Sequence, residues 1–269
     1  MRRVIVTPAT DAACVERLHG LLGAHRADFD EWHLWLNTDD EAQRQALRRV
    51  AAASDGWVHA VDAGPGSGRY GVPRFYSLKA PSPTCASYTD ASTTYARLDE
   101  RLAWLCPGFV RALCEHQELN PAYFVVFANV VGDPYFHGPA PHASFAADVE
   151  GGRAGAWEVP PRALEDRPVV ELRAAAWLGS SFEAFGGRVA LDETAWLCRD
   201  YPFKLGKHTA LCGHALCALV GEGEDDPYNQ PATPPPPPEE PAAAAAVPEP
   251  PAAPRKRRYT RRTARVTVE

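Results

Sequence analysis

Short apolar runs alternate with helical repeats along the first 131 residues of the chain. The β-branched or aromatic runs "VIV", "HLWLN", "GWVHAV", "TTYARL" and "AYFVVFANVV" predict five strands. Between the first two, Val15, Leu18 and Leu22 have the spacing of one helical face. The fifth run is apolar throughout, which is typical of a strand covered on both faces. The pattern predicts an α/β fold with a mostly parallel central sheet and helices on both faces.

Three local signals predict where helices begin. Thr10 is a candidate N-cap for the first helix, and Thr38 with Glu41 forms a capping box before the second. Pro107 stands where a first helical residue is favoured, ahead of an apolar face that starts at Phe109.

The second half of the body is less regular. From Gly132 to Pro168 the sequence is loop-like, and helical signal resumes in "VVELRAAAWLGSSFEAF" and "LDETAWLCRDYP". We expect one domain over residues 1–222, a Pro/Ala-rich linker over 223–254 and a basic tail over 255–269.

Charge separates the tail from the body. The net charge is −6, and the last 15 residues hold seven basic residues and one acidic residue, so the rest of the chain carries −12. An acidic body argues against a nucleic-acid surface there. The basic tail suits an anionic surface, such as a nucleic acid or a membrane, and a solubilising disordered end is the alternative.

Nothing in the sequence indicates export or membrane insertion. No run of about 18 apolar residues is present, and "VIV" is too short for the apolar part of a signal peptide. The seven cysteines are odd in number, scattered and without a C-x-x-C pair, which favours reduced thiols. We therefore expect a cytoplasmic protein.

Polar residues follow three of the predicted strands at their carboxyl ends, in "TPAT", "NTDD" and "DER". An open parallel sheet binds ligands at this edge. Acidic and amide groups suit a sugar, a ribose or a metal ion, and no glycine-rich phosphate motif is present. The candidate binding residues are Thr7, Asn37, Asp39, Asp99, Glu100 and Arg101.

Five segments together resemble the GT-A-type glycosyltransferases, which use nucleotide-diphospho-sugars. They are "DEWHLWLNTDD", "RFY", "TTYARLDERLAWLCPGF", "AYFVVFANVV" and "AFGGRVALDETAWLCRDYPFKLGKHTALCGHAL". In that family the fourth-strand segment is close to "RLDDDIVWL", and the late segment ends in "CGxAL". The resemblance spans residues 2–220. It implies a GT-A-like fold and a hexosyltransferase that moves a sugar from a nucleotide-sugar donor to a hydroxyl of a glycan, lipid or protein.

The resemblance gives "DER" a role in donor binding. GT-A enzymes hold Mn²⁺ or Mg²⁺ against the donor diphosphate with a DxD-type cluster, which stabilises the leaving group. Asp99 and Glu100 would be the metal ligands. Arg101 replaces the third acidic residue, and Leu219 takes the place of a late metal-binding histidine. Arg101 would either neutralise the diphosphate without a metal or mark a site that has lost both metal and activity.

The resemblance also implies a catalytic base. Inverting GT-A enzymes place a carboxylate near a helix start, where it takes the proton of the acceptor hydroxyl. Asp192 and Glu193 hold that position, and helix capping alone is the alternative. Arg74 and His214 are candidate contacts to the nucleotide-sugar donor. The alternatives are that Arg74 is an ordinary surface arginine and that His214 is a structural histidine. A GT-A-fold protein that binds without turnover, and an interaction protein acting through the tail, are the competing functions.

A zinc site is a further alternative near the end of the body. Its ligand set would be His208, Cys212, His214 and Cys217. The residue types are those of zinc sites, but the spacing is not that of a standard finger.

We expect residues 228–254 to be disordered, because their eleven prolines cannot donate backbone hydrogen bonds and few apolar side chains are available to bury. Deletion of residues 228–269 should therefore change the melting temperature by less than about 5 °C, roughly 1–2 kcal/mol for a domain of this size. Thermal melts of the full and truncated chains, followed by circular dichroism, test this. A larger drop would show that the tail docks on the body.

Overall fold

The computed structural model describes residues 1–64, 72–82, 85–133, 135–137, 142–166, 168–190 and 192–219. The predicted linker and basic tail lie outside these residues, as do the last three residues of the predicted domain.

Nine strands form the main sheet of the described residues. In spatial order they are β3 (Val58–Val61), β2 (Glu31–Leu36), β1 (Arg2–Ala9), β6 (Thr93–Leu98), β10 (Ala174–Leu178), β8 (Val126–Val131), β11 (Thr209–Leu219) and β7 (Leu102–Leu105), with β9 (Arg162–Leu164) also paired to β11. A separate antiparallel pair consists of β4 (Lys79–Ser82) and β5 (Cys85–Ser87).

The main sheet is mostly parallel. β3, β2, β1 and β6 pair in parallel, and so do β8 and β11. β10 runs antiparallel between β6 and β8, and β7 and β9 run antiparallel to β11. Six of the nine strands in the described sheet therefore point the same way, which confirms the predicted α/β class and the mostly parallel sheet.

β10 corrects the first part of the helix predicted over "VVELRAAAWLGSSFEAF", while Gly179–Glu183 in the same segment is helical. Every residue of Ala174–Leu178 is buried, so the segment has no polar face whose period could distinguish a strand from a helix. Because β10 lies between β6 and β8, the five predicted strands belong to one sheet but are not all direct neighbours.

Helices cover both faces of the sheet. The helical face carries α1 (Ala12–Gly23), α2 (Glu41–Ala52) and α3 (Phe109–Leu119), whose buried side chains share one apolar core. The opposite side, here called the aromatic face, has a core that includes Trp35, Phe75, Tyr76, Tyr95 and Trp177.

Short elements cover the aromatic face. They are a 3-10 helix over Val72–Ser77, α5 (Gly179–Glu183), α6 (Glu193–Ala195), a π-helical turn over Trp196–Asp200 and α7 (Tyr201–Leu205). The remaining described helices are α4 (His142–Glu150) and 3-10 turns at Arg26–Asp28 and Ala154–Trp157. No helix in the described ranges is both long and apolar enough to cross a membrane.

The caps of α1 and α2 differ from the prediction. Asp11, not Thr10, caps α1 by accepting hydrogen bonds from two backbone N–H groups of its first turn. Asp40, not Thr38, caps α2 in the same way. In both cases an aspartate directly precedes the helix and can reach the free N–H groups, whereas the threonine lies too early in the chain.

The chain between β6 and α3 also differs from the prediction. Leu102–Leu105 forms β7, which had not been predicted as a strand. Pro107 lies in a turn before α3 instead of at its first residue. Gly108 follows with φ at 71°, a left-handed conformation that favours glycine, and α3 starts after it.

Glu100 holds the start of α1 to the end of β6. Its Oε2 accepts hydrogen bonds from the backbone N–H groups of Thr10 (2.8 Å) and Asp11 (3.1 Å), and its Oε1 accepts one from the Thr10 hydroxyl. Burial raises the pKa of Glu100, against the lowering effect of these hydrogen bonds. The side chain therefore satisfies backbone donors that would otherwise be buried without a partner.

Replacement of Glu100 by alanine should lower the free energy of unfolding by about 1–3 kcal/mol, because it leaves these donors unsatisfied. Urea denaturation measures the change. Glu16→Ala, an exposed position on α1, is the matched control and should stay within about 0.5 kcal/mol of the parent chain. Equal effects of the two substitutions would contradict the role assigned to Glu100.

Candidate functional site

The three residues "DER" follow directly after the central strand β6. The Asp99 carboxylate accepts hydrogen bonds from the Arg101 guanidinium (3.2 Å) and from Arg173 Nη1 (3.2 Å). It also accepts one from the Arg101 backbone N–H (2.9 Å), while the Asp99 N–H donates to the carbonyl of Arg173 (2.7 Å). We call these three side chains the Asp99 cluster. Each is between 15% and 25% exposed, so the cluster is open to solvent.

The side chains at this strand end do not offer the ligand atoms that Mn²⁺ or Mg²⁺ require, because these ions bind to several oxygen ligands. Both oxygens of Glu100 are hydrogen bonded to the start of α1. Asp99 already faces two guanidinium groups, which repel a further cation. Leu219 supplies no ligand atom. Arg173 also forms an ion pair (2.5 Å) with Glu171, whose side chain is 61% exposed. The two guanidinium groups still suit an anion with oxygen acceptors better than a cation, since guanidinium groups match phosphate geometry.

A second cluster lies on the aromatic face, next to the first. Arg97 is two residues before Asp99 on β6, and its side chain is on the same face of the sheet. Its Nη1 forms an ion pair with Glu193 Oε1, which also accepts a hydrogen bond from the Tyr76 hydroxyl. The guanidinium and carboxylate are largely buried, with 13% and 12% of their side chains exposed. These three residues are called the Arg97 cluster.

The structure distinguishes the two acidic residues at the start of α6. Asp192 is exposed and caps the helix, because its Oδ1 accepts a hydrogen bond from the Ala195 N–H (3.0 Å). Glu193 instead faces the sheet and meets Arg97. Both of its hydrogen bonds use Oε1, and no described residue donates to Oε2. This oxygen is therefore the one that could accept a proton from a bound molecule.

The charges in the Arg97 cluster support one another. Burial works to lower the pKa of Arg97, but the Glu193 carboxylate and the Tyr76 oxygen outweigh it, so the pKa is raised. Burial also raises the pKa of Tyr76 well above its usual value, and the charge of Glu193 adds to this effect. Arg97 therefore stays a cation and Tyr76 a neutral donor at physiological pH.

Tyr76 is placed by close packing of two backbone segments. It lies in the 3-10 helix Val72–Ser77, buried among aromatic rings that include Trp35 and Trp177. Gly187 approaches the Tyr76 carbonyl so closely that a Cβ atom there would collide with it, and its φ of 68° also favours glycine. The glycine in "AFGGRV" thus allows the tyrosine to reach Glu193.

The first two candidate strand ends contribute less to this site. Thr7 is fully buried, and its Oγ1 accepts a hydrogen bond from Trp32 Nε1 (2.9 Å) in the core of the helical face, away from both clusters. Asn37 follows β2, and its Oδ1 is buried without a hydrogen-bond partner among the described residues. Asp39 is exposed in the turn before α2.

Arg74 and His214 lie in different regions. Arg74 belongs to the same 3-10 helix as Tyr76, and its guanidinium donates to the carbonyl of Ala63. His214 is exposed on β11, with its Nδ1 2.8 Å from Glu158 Oε2. Nothing in the described structure joins His214 to the Asp99 or Arg97 clusters, so its predicted contact with the donor stays a prediction.

The zinc ligand set of the late segment is not gathered in the structure. Among the described residues, the group of three or more side chains that could hold a metal ion is Glu31 and His33 of β2 with His59 of β3. Six cysteines of the described residues are free thiols: Cys14, Cys106, Cys114, Cys198, Cys212 and Cys217.

Sequence reasoning missed Tyr76, Arg97 and Arg173. Arg97 could have been noticed, because a charged residue within the otherwise apolar strand "TTYARL" needs a partner if it is buried. Tyr76 and Arg173 gave no such signal. Tyr76 is one of several aromatics in its region, and Arg173 lies in a segment that was predicted as a helix.

Comparisons with solved structures found chains of similar fold. CMP:2-keto-3-deoxy-manno-octonic acid synthetase, solved with CTP, has 14% sequence identity and a TM-score of 0.44, over 85% of this chain and 95% of that chain. For 4-diphosphocytidyl-2C-methyl-D-erythritol synthase the identity is 14% and the TM-score 0.46, over 85% and 95%. Glucosyl-3-phosphoglycerate synthase from Mycobacterium tuberculosis was solved with Mn²⁺, UDP and glucosyl-3-phosphoglycerate. Its sequence identity is 13% and its TM-score 0.43, over 82% of this chain and 72% of that chain. No protein-family model matches the chain, and no curated protein matches it.

Proposed function

We propose that the chain is a glycosyltransferase that moves a sugar from a nucleotide-sugar donor to an acceptor hydroxyl, and that it binds the donor diphosphate without a divalent cation. The observation that carries the proposal is the pair of guanidinium groups, Arg101 and Arg173, on either side of Asp99. Arg101 follows the central strand β6, and Arg173 lies beside its carboxyl end, just before β10. This is where the resemblance to GT-A enzymes expects the diphosphate.

The Asp99 cluster would supply the positive charge that the reaction needs. When the sugar–phosphate bond breaks, negative charge develops on the leaving diphosphate, and fixed cations beside it lower the barrier. Guanidinium groups bind phosphate oxygens through paired hydrogen bonds. Asp99 would hold Arg101 and Arg173 in place until the donor arrives, so that little side-chain ordering remains for the binding step.

Glu193 is the proposed general base. The acceptor oxygen would attack the anomeric carbon while the bond to the diphosphate breaks, and the acceptor proton would pass to Oε2 of Glu193. Arg97 and Tyr76 would hold the other oxygen and fix the orientation of the carboxylate. Arg97 and Asp99 are two residues apart, about 7 Å along the strand, so one strand end serves both the donor and the base.

A binding protein of the same fold without turnover is the second candidate. The Arg97–Glu193 ion pair favours it, because the guanidinium already occupies one oxygen of the carboxylate that would act as the base. The third reading, an interaction protein acting through residues 255–269, concerns residues outside those that the structure describes.

Release of nucleoside diphosphate from a panel of UDP-, GDP- and dTDP-sugars, with and without Mn²⁺, separates these functions. The proposal expects release with at least one donor in the presence of a chelator. A thermal-shift screen with the nucleoside diphosphates, run in parallel, detects binding through the stabilisation that a ligand confers. Stabilisation without release or transfer would support the binding protein. If neither stabilisation nor release were observed, both functions would be ruled out.

Arg101→Asp should lower activity measured with a chelator by about tenfold or more, because a charge-assisted contact to the diphosphate contributes roughly 1.5–3 kcal/mol. It should also make the remaining activity depend on Mn²⁺, since it restores an acidic residue. Arg49→Asp changes the same charge at an exposed position on α2 and is the control. Unchanged metal-free activity of the Arg101 variant would contradict the proposed role of the Asp99 cluster.

Glu193→Gln should lower kcat by about 10²–10⁴-fold with little change in the KM for the donor, as expected when a general base is removed. Asp192→Asn is the matched control, because asparagine caps a helix about as well as aspartate. Circular dichroism shows whether each variant is folded. If both variants kept the parent kcat, neither residue would be the base.

A further inference from the structure

We infer that Glu31, His33 and His59 form a binding site for a zinc ion, separate from the proposed donor site. The three residues come from two neighbouring parallel strands. His33 of β2 is paired in register with His59 of β3, and Glu31 precedes His33 by two residues. Alternation along the strands therefore places all three side chains on the aromatic face.

The ligand atoms already converge. His33 Nε2 is 2.9 Å and His59 Nε2 is 3.9 Å from Glu31 Oε2, and the three atoms lie within 4.8 Å of one another. Ligands around tetrahedral zinc, with bonds of about 2.0–2.1 Å, are on the order of 3.3 Å apart. Small side-chain rotations would bring these atoms to that spacing.

The surroundings of the site hold the ligands in place. The hydroxyl of Tyr88 is 3.0 Å from His33 Nδ1. The other ring nitrogen, His33 Nε2, therefore faces Glu31 and His59. Arg2 forms an ion pair with Oε1 of Glu31, and Oε2 is the oxygen that both histidines approach. Partners of this kind, which orient metal ligands, are regular features of metal sites.

The ligand types and burial favour zinc over magnesium or calcium. Two imidazoles and one carboxylate suit zinc and similar transition metals, whereas magnesium and calcium require mainly oxygen ligands. His33 is fully buried, but 26% of the His59 side chain is exposed. The group thus reaches solvent on one side, where a water molecule could complete a four-ligand shell.

The proposed zinc ligands lie on strands other than the one that leads to the Asp99 cluster. His33 and Arg97 both pair in register with Val6 of β1, so His33 is level with Arg97 and two strands away, about 10 Å, whereas Asp99 lies beyond the end of β6. The ion would join β2 to β3, the last strand at this side of the sheet. Its expected effect is therefore to stabilise the edge of the sheet, and the inference does not depend on glycosyl transfer.

Titration of the full chain with zinc chloride, after chelator treatment and without an affinity tag, tests the site. Calorimetry should show one zinc ion per chain, and zinc should raise the melting temperature. His59→Ala, at a partly exposed position, should weaken binding by more than about tenfold, and Tyr88→Phe should weaken it by about tenfold. His116→Ala, on α3, is the histidine control and should bind like the parent.

X-ray absorption at the zinc edge adds a second readout that does not depend on the stability of any variant. The parent protein should show a shell of nitrogen and oxygen ligands with two imidazoles. Absence of zinc binding, a sulfur-containing shell, or equal affinities of the parent and both the His59→Ala and Glu31→Gln variants would overturn the inference.

Discussion

The ion pair between Arg97 and Glu193 is the contact on which the arrangement of the aromatic face depends. A guanidinium that leaves water on folding requires a compensating charge, and removal of one partner of such a pair typically costs about 3–5 kcal/mol. Glu193 can supply that charge only if α6 lies over β6. Tyr76 donates to the same carboxylate oxygen, so the 3-10 helix that carries it is drawn to the same place.

Two parts of the aromatic face present opposite kinds of chemistry. At the carboxyl end of β6, the guanidinium groups of Arg101 and Arg173 flank Asp99 and favour an anion. On β2 and β3, His33 and His59 flank the carboxylate of Glu31 and favour zinc or a similar transition metal. Both clusters lie on the aromatic face, since the helical face is closed by α1, α2 and α3. Binding is therefore concentrated where short elements and loops, rather than long helices, cover the sheet.

The elements that sequence analysis predicted correctly are those with a clear local period. The strand "TTYARL" was predicted over the residues that form β6, and α1 follows the apolar spacing that indicated it. β10 was misread because it is buried on both sides and carries no period of its own. The caps were misplaced by one or two residues, because several neighbouring side chains could accept the same hydrogen bonds.

The sequence by itself determined the α/β class and the position of "DER" after a central strand, because both follow from periodicity along the chain. It did not determine what these residues do. Glu100 is bound to the start of α1, and Asp99 to Arg173, which is 74 residues away in sequence. Tyr76 and Glu193 are 117 residues apart. Only the tertiary structure decided these partners, because strand order and register result from packing of the whole chain, and no local pattern encodes which distant side chains then meet.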